Sequence, residues 1–327
     1  MKKTKSIYEI KTRAISSFIL LLMVIFLSAC GTEDTNSEPK NEEKAPTERT
    51  ITDATGEKKI PANPKRVAAT SQQLMEFLIP LDLNVRVAPK ATIADEFYSY
   101  FPEDKQKNII LVGDSSPLNF EGFLAQQPDL IFVREDTQSY DKMSKIAPAI
   151  MIKETKDWRT DLKEYARIMD KESEAKAYLD NYQNQVDGYK EELKSTVGNE
   201  KVVFIRLLDK EVRIYNNLPT SVGGVMYHDL GLTPVEGIES KDLFSAISLE
   251  KLLEMNPDHI FVQTGKQDEK PEVSQKRLEE ITKGDIWKSL NAFKNNHVYV
   301  EDASFFNNTP MSQLNTAKII TETLNKN

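Results

Sequence analysis

The sequence predicts an α/β protein of two lobes joined by one long helix, and three observations predict it. First, short apolar runs alternate with helical or polar segments in both halves of the chain, the pattern of strands fed by crossover helices in a parallel or mostly parallel sheet. Second, between the halves Ala175, Leu179, Tyr182, Val186, Tyr189 and Leu193 recur at alternating steps of four and three. That spacing marks one amphipathic helix long enough to span a small domain. Gly188 inside it and the lack of hydrophobic continuation argue against a coiled coil. Third, residues 119–133 (NFEGFLAQQPDLIFV) align without gaps on residues 248–262 (SLEKLLEMNPDHIFV). Each copy reads as a cap, an apolar residue, a glutamate, a two-turn helix, Pro-Asp and a buried strand, and one copy falls on each side of the long helix.

The elements follow in order. Residues 66–70 form an apolar run behind Pro61 and Pro64, with Ser71 as N-cap of a helical stretch over 73–78. Runs at 85–88, 109–112, 130–133 and 149–152 supply further strands. The helical region occupies 157–197 and is stopped by Gly198 and Asn199. A second series places strands at 202–208, 212–215, 259–262 and 297–300, a helix over 222–230 and a closing helix over 310–324. The expected organisation is an N-terminal lobe at 51–156, a linking helix region at 157–197 and a C-terminal lobe at 198–327.

Ahead of these lies a different kind of sequence. Residues 1–29 carry Lys2, Lys3, Lys5, Lys11 and Arg13 against Glu9, so the remainder is four units more negative than the formal −8 of the whole chain. An apolar run of 14 residues, Ala14 to Leu27, leads into Leu27-Ser28-Ala29-Cys30; it is short for a membrane span and right for a signal-peptide core. Leu-Ser-Ala-Cys resembles the lipobox of bacterial lipoproteins. That resemblance implies a signal peptide at 1–29, acylation (palmitate-type) of Cys30, and residence on the extracytoplasmic face of the cell membrane. Residues 31–50 contain no Val, Ile, Leu or aromatic side chain, so 30–50 reads as the lipidated cysteine and a flexible tether.

Several function classes fall away. One cysteine forms no intrachain disulfide and builds no Cys-based zinc site, and a net charge of −8 does not suit a nucleic-acid binder. No Gly-rich phosphate loop, Gly-x-Ser-x-Gly elbow or His-Glu-x-x-His occurs, so neither catalysis nor a cofactor is expected. A direct metal binder would want several converging histidines. Only His228, His259 and His297 exist; His259 takes the place of Leu130 in the repeat and His297 opens a strand, so packing or surface roles account for both.

From Pro61 to the C-terminus the chain resembles the ferric-siderophore substrate-binding lipoproteins of bacterial ABC importers. The resemblance is carried by Pro64-Lys65-Arg66-Val67, the two Glu…Pro-Asp units, the long helix, Gly223-Gly224…Asp229-Leu230-Gly231-Leu232, and Trp287-Lys288-Ser289-Leu290-Asn291-Ala292…His297-Val298-Tyr299. It implies two Rossmann-like lobes, a rigid connecting helix, a ligand cleft between the lobes, and a monomer that delivers its ligand to an ABC permease. A siderophore wraps Fe(III) in its own oxygens, so the protein need supply no metal ligand. It must recognise the outside of a chelate, work suited to Arg, Lys and aromatic side chains at the carboxyl ends of strands.

On this basis Ser71 and Gln72, Arg134, Arg206, Arg213, Tyr215, Trp158, Phe305 and Phe306 are the expected ligand-binding residues. Asp114-Ser115-Ser116 occupy a loop where several resembling proteins carry Arg, so no cationic contact is expected from it; the last loop, Phe305-Phe306-Asn307-Asn308, lacks the arginines of resembling carboxylate-siderophore binders, which points to a hydroxamate or citrate-hydroxamate chelate. Glu121 and Glu250, one in each repeat, are the expected permease-docking carboxylates, although the helix dipole alone would favour acids there. Haem or cobalamin is the alternative ligand, with His228 or Met75 as axial ligand.

Overall fold

The computed structural model describes residues 47–91, 96–208, 211–264, 276, 278–301 and 307–326. Its first elements form a hairpin that the sequence pattern does not announce. β1 (Glu48–Asp53) runs antiparallel to β2 (Gly56–Pro61), and Gly56 takes φ 114° at the turn. The hairpin begins inside the stretch expected to be tether.

The apolar runs of the first half become β3 (Val67–Ala69), β4 (Val85–Ala88), β5 (Ile110–Leu111), β6 (Leu130–Val133) and β7 (Ala149–Met151). Helices α1 (Gln72–Leu78), α2 (Glu103–Gln106), α3 (Phe120–Ala125) and α4 (Thr137–Met143) lie between them. All pairings are parallel, in the spatial order β5-β4-β3-β6-β7. Val67, Ala69, Leu130 and Phe132 join one apolar core, while Ala68, Ile131 and Val133 join a second with Phe123 and Met143. Burial on both faces is why these strands read as unbroken apolar runs. The chain moves from β3 outward through β4 to β5 and then returns to the other side of β3 as β6, so the carboxyl ends of β3 and β6 flank the switch point. The edge strand β7 is covered by the hairpin: Ala54 N–H donates to the Met151 carbonyl at 3.0 Å, and Asp53 accepts from Met151 N–H at 2.8 Å.

Region 157–197 contains two helices. α5 (Trp158–Met169) ends at Asp170, in the left-handed conformation at φ 52°, and the 25-residue α6 (Glu172–Thr196) follows. Along α6 the stripe falls as its spacing requires: Ala175, Tyr182, Val186 and Leu193 are buried, Leu179 and Tyr189 half-buried. Gly198, at φ 60°, donates to the Leu193 carbonyl at 3.2 Å and closes the helix.

The second sheet has the order β10-β9-β8-β11-β12, built from β8 (Val202–Leu208), β9 (Glu211–Tyr215), β10 (Phe244–Ile247), β11 (His259–Thr264) and β12 (Val298–Val300). β11 pairs parallel with β8 and β12, whereas β9 is antiparallel to β8 and β10. Only two residues separate Leu208 from Glu211, and so short a link reverses the chain. β10 has no continuous apolar run and is only partly buried, which is why its sequence gives no strand signal. Further helices are α7 (Ser221–Gly223), running into a π-helical turn at Gly224–Asp229, α8 (Leu249–Met255), α9 (Asp285–Ser289), α10 (Asn291–Lys294) and α11 (Pro310–Leu324).

The two repeat copies occupy equivalent places. Asn119 and Ser248 cap α3 and α8 by accepting from Gly122 N–H at 3.0 Å and Lys251 N–H at 3.2 Å. Gln127 and Asn256 each turn left-handed, at φ 48° and 42°, ahead of the proline. Asp129 then accepts from Lys65 N–H and Arg66 N–H at 2.6 and 2.9 Å, and Asp258 from Lys201 N–H at 2.8 Å. Each Pro-Asp therefore ties its own strand to the start of the neighbouring β3 or β8. The other shared segment has a packing reason as well: a Cβ on Gly223 would sit 2.2 Å from the Asn216 carbonyl oxygen. Asp229 accepts from Arg159 Nη2 at both carboxylate oxygens, each at 2.8 Å, and from the Tyr182 hydroxyl at 2.6 Å, clamping α5 and α6 to the π-helical turn.

Candidate functional site

At the switch point of the first sheet, Thr70 N–H donates to the Phe132 carbonyl at 3.0 Å and Arg134 N–H to the Thr70 hydroxyl at 3.3 Å. These bonds hold the carboxyl ends of β3 and β6 side by side. A cavity of about 620 Å³ opens beyond them, lined by Ser71, Gln73, Lys90, Ser115, Phe120, Arg134, Gln138 and Lys142 among other residues. Ser71 is the N-cap of α1, accepting from Leu74 N–H at 3.2 Å. The Arg134 guanidinium donates to Gln73 Oε1 at 2.5 Å, lies 4.0 Å from Glu154, and leaves its side chain 51% exposed. That half-exposed side chain lines the cavity. Lys142 lies over the Phe120 ring, 4.6 Å from its centroid, and Lys90 follows the end of β4.

The cavity is polar and nearly balanced in charge. Arg134, Lys90 and Lys142 face Glu135 and Asp136. Asp136 is also the N-cap of α4; hydrogen bonding from Ser139, despite some desolvation, holds its carboxyl below the usual range.

Gln73 extends the network to the far end of the chain. Its Nε2 donates to Asn307 Oδ1 at 2.8 Å, and Asn307 Nδ2 donates to the Tyr100 hydroxyl at 3.4 Å. Tyr100 donates in turn to Glu76 at 2.9 Å. Glu76, on α1, is fully buried and also accepts from the Thr309 hydroxyl and, at 2.9 Å, from Ser312 N–H. Burial pushes its carboxyl up to about 7, against the three hydrogen bonds that favour the ionised form.

Residues 67–304 match the family model described as periplasmic binding protein. The chain belongs to this family. Among relatives, the iron(3+)-hydroxamate-binding protein FhuD of Bacillus subtilis is 30% identical over 323 residues, covering 95% of this chain and 97% of the relative. Among solved structures, Staphylococcus aureus SirA complexed with staphyloferrin B is 25% identical with a TM-score of 0.68, covering 85% of this chain and 98% of the other. The triscatecholate siderophore binding protein FeuA of Bacillus subtilis, complexed with ferri-bacillibactin, is 26% identical with a TM-score of 0.64, covering 85% and 99%.

In this periplasmic binding protein the expected residues divide. Ser71 and Arg134 line the cavity. Gln72 lines it too, but its amide is committed: Nε2 donates to the Glu96 and Pro89 carbonyls at 2.5 and 3.3 Å, and Oε1 accepts from Tyr98 N–H at 3.2 Å. Gln72 therefore shapes the loop bordering the cavity. On the second sheet Arg206 and Arg213 stand directly opposite each other on β8 and β9, with Tyr215 farther along the same face. Arg206 donates to the Tyr215 hydroxyl, while Arg213 pairs with Glu211 at 2.6 Å and lies over the Phe244 ring. Tyr215 is only 4% exposed, burial pushes its hydroxyl up to about 12, and its ring belongs to the apolar core.

Trp158 is corrected from cleft wall to core. It is 1% exposed, packed edge-on against Tyr182 with the Arg159 guanidinium over its ring. Met75 is fully buried, and His228 is exposed on the π-helical turn and does not line the cavity, so neither is placed as an axial ligand there. Phe305, Phe306, Cys30 and the expected signal peptide lie outside the described residues. Glu121 and Glu250 are both exposed in the first turns of α3 and α8. Sequence reasoning missed Lys90, Lys142 and Gln73. Lys90 follows a strand end and was findable by the rule that found Arg134; Lys142 and Gln73 face the cavity only because of how α4 and α1 are set.

Proposed function

We propose that this chain is a lipid-anchored extracytoplasmic binding protein that captures a ferric siderophore of the hydroxamate or citrate-hydroxamate type and passes it to an ABC permease. The observation that carries this reading is the charge of the switch-point cavity. Three hydroxamates neutralise Fe(III), and a nearly balanced cavity rich in hydroxyl and amide groups suits a neutral chelate better than a highly charged one. The relative FhuD, named as an iron(3+)-hydroxamate-binding protein and matched over nearly its whole length, supports the same class. Iron arrives inside its own ligand shell, so the cavity needs donors for oxygen atoms and no metal ligand or cofactor. In this reading Cys30 supplies the anchor. No helix among the described residues is long and apolar enough to cross a membrane.

Glu121 and Glu250 present one carboxylate from each repeat, and Leu124, one helical turn after Glu121, is 57% exposed, as a docking surface requires. The test is uptake of a ⁵⁵Fe-labelled ferric hydroxamate by cells that depend on this chain. The Glu121→Arg/Glu250→Arg variant is expected to abolish uptake while the purified variant keeps its chelate affinity. Uptake at the wild-type rate, or a loss of affinity above about tenfold (~1.4 kcal/mol), would remove the docking role.

A further inference from the structure

At the opposite end of the second sheet, the amino ends of β11 and β12 bring together side chains that the sequence keeps far apart. His259 opens β11, His297 immediately precedes β12, and Glu200 precedes β8. The two imidazoles stack with centroids 4.3 Å apart and planes 4° from parallel. His259 Nε2 lies 2.5 Å from Glu200 Oε2, and one ligating atom from each of the three residues falls within 4.8 Å of the others. The expectation that the two histidines serve separate packing or surface roles does not account for this convergence.

We propose that Glu200, His259 and His297 form a binding site for one divalent transition-metal ion of the zinc class, separate from the chelate cavity. Two imidazoles and one carboxylate are the donor set such ions prefer, and three protein ligands leave a coordination position for water. The surrounding bonds set the tautomers for it. His297 Nδ1 faces the Asp258 carbonyl at 3.2 Å; a carbonyl only accepts, so Nδ1 carries the proton and the Nε2 lone pair is left to ligate. His259 Nδ1 lies 3.0 Å from the Tyr299 hydroxyl, which can accept its proton once Nε2 is on the metal.

Access and adjustment are available. His259 is 3% exposed, but the Glu200 side chain is 51% exposed and His297 half-buried, so an ion can arrive from solvent. Ligands held about 2.0–2.1 Å from one ion sit roughly 3.3 Å apart, so Glu200 must swing outward from His259, and the half-buried His297 ring must turn out of the stack so that both in-plane lone pairs meet at one ion. A bound ion would pin the amino ends of three adjacent strands, β8, β11 and β12.

The test is calorimetric titration of the full-length chain, without a histidine tag, against Zn²⁺, with Ca²⁺ and Mg²⁺ as hard-ion controls and Co²⁺ absorption as a report of coordination. The site predicts about one Zn²⁺ per chain, no response to Ca²⁺ or Mg²⁺, and tetrahedral Co²⁺ bands. His297→Ala and Glu200→Gln, both at solvent-accessible positions, should each lose more than about tenfold in affinity, and Tyr299→Phe about tenfold through the lost orienting bond. His228→Ala should change nothing. Absence of Zn²⁺ binding by the wild type, or equal binding by His297→Ala and Glu200→Gln, would overturn the proposal.

Discussion

Replacing Arg134 by alanine is expected to weaken ferric hydroxamate binding by about 10- to 100-fold, some 1.4–2.8 kcal/mol. Arg134 stands where the carboxyl ends of β3 and β6 diverge, and its backbone is held there by Thr70. Gln73 fixes one end of the guanidinium at the cavity wall. Half the side chain is exposed, so its existing contact with Glu154 is weak, and little is lost inside the protein when it is removed. The loss should therefore appear in ligand affinity and not in the melting temperature. Arg134→Lys, which keeps the charge but not the fork, should recover only part of the affinity. Fluorescence titration of the three proteins checks both expectations.

The largest stability effect is expected at Glu76. This carboxyl does the work of a cap for α11: Thr309 occupies the N-cap position but gives its hydroxyl to Glu76, and Glu76 in turn accepts from Ser312 N–H inside the first turn. Glu76→Ala would strand these donors in a dry site and open a cavity, costing ~3 kcal/mol or more. Glu76→Gln isolates the charge. Because burial raises the folded carboxyl to about 7, the folded protein keeps this proton over a pH range in which the unfolded chain releases it near its ordinary value of 4.5. The group's contribution is fully present below about pH 4.5 and is lost as pH rises through 7, a change of ~3 kcal/mol. The stability difference between wild type and Glu76→Gln should therefore move in favour of glutamine by that amount between pH 4.5 and 8, measured by urea denaturation. A flat difference would show that the carboxyl is not displaced.

The architecture was legible wherever a strand is buried on both faces. Residues 130–133 and 202–205 are continuous apolar runs because each side of the sheet is covered. The β1–β2 hairpin was illegible for the opposite reason: among its residues only Ile51 and Ile60 are buried, and its first three, Glu48-Arg49-Thr50, read as the end of the tether. Pro-Asp was visible as a repeat, but its work, holding the start of the neighbouring strand, required the sheet order. At the site, Arg134 and Ser71 could be read from strand ends, whereas Trp158 and Tyr215 could not be separated from core residues by type alone. Glu76 did carry a signal: an acid among Leu74, Met75, Phe77 and Leu78 has no polar face to occupy. The convergence of Glu200, His259 and His297 had none, because three strand starts become neighbours only through the crossovers of the second sheet.

The most direct test of the central claim is intrinsic-fluorescence titration of the purified full-length protein against ferric hydroxamate, citrate-type and catecholate chelates, with haem and cobalamin in parallel. The account predicts submicromolar binding of a ferric hydroxamate or citrate-hydroxamate chelate that is weakened by Arg134→Ala. Absence of submicromolar binding to every ferric chelate, or tight binding that Arg134→Ala leaves untouched, would contradict it.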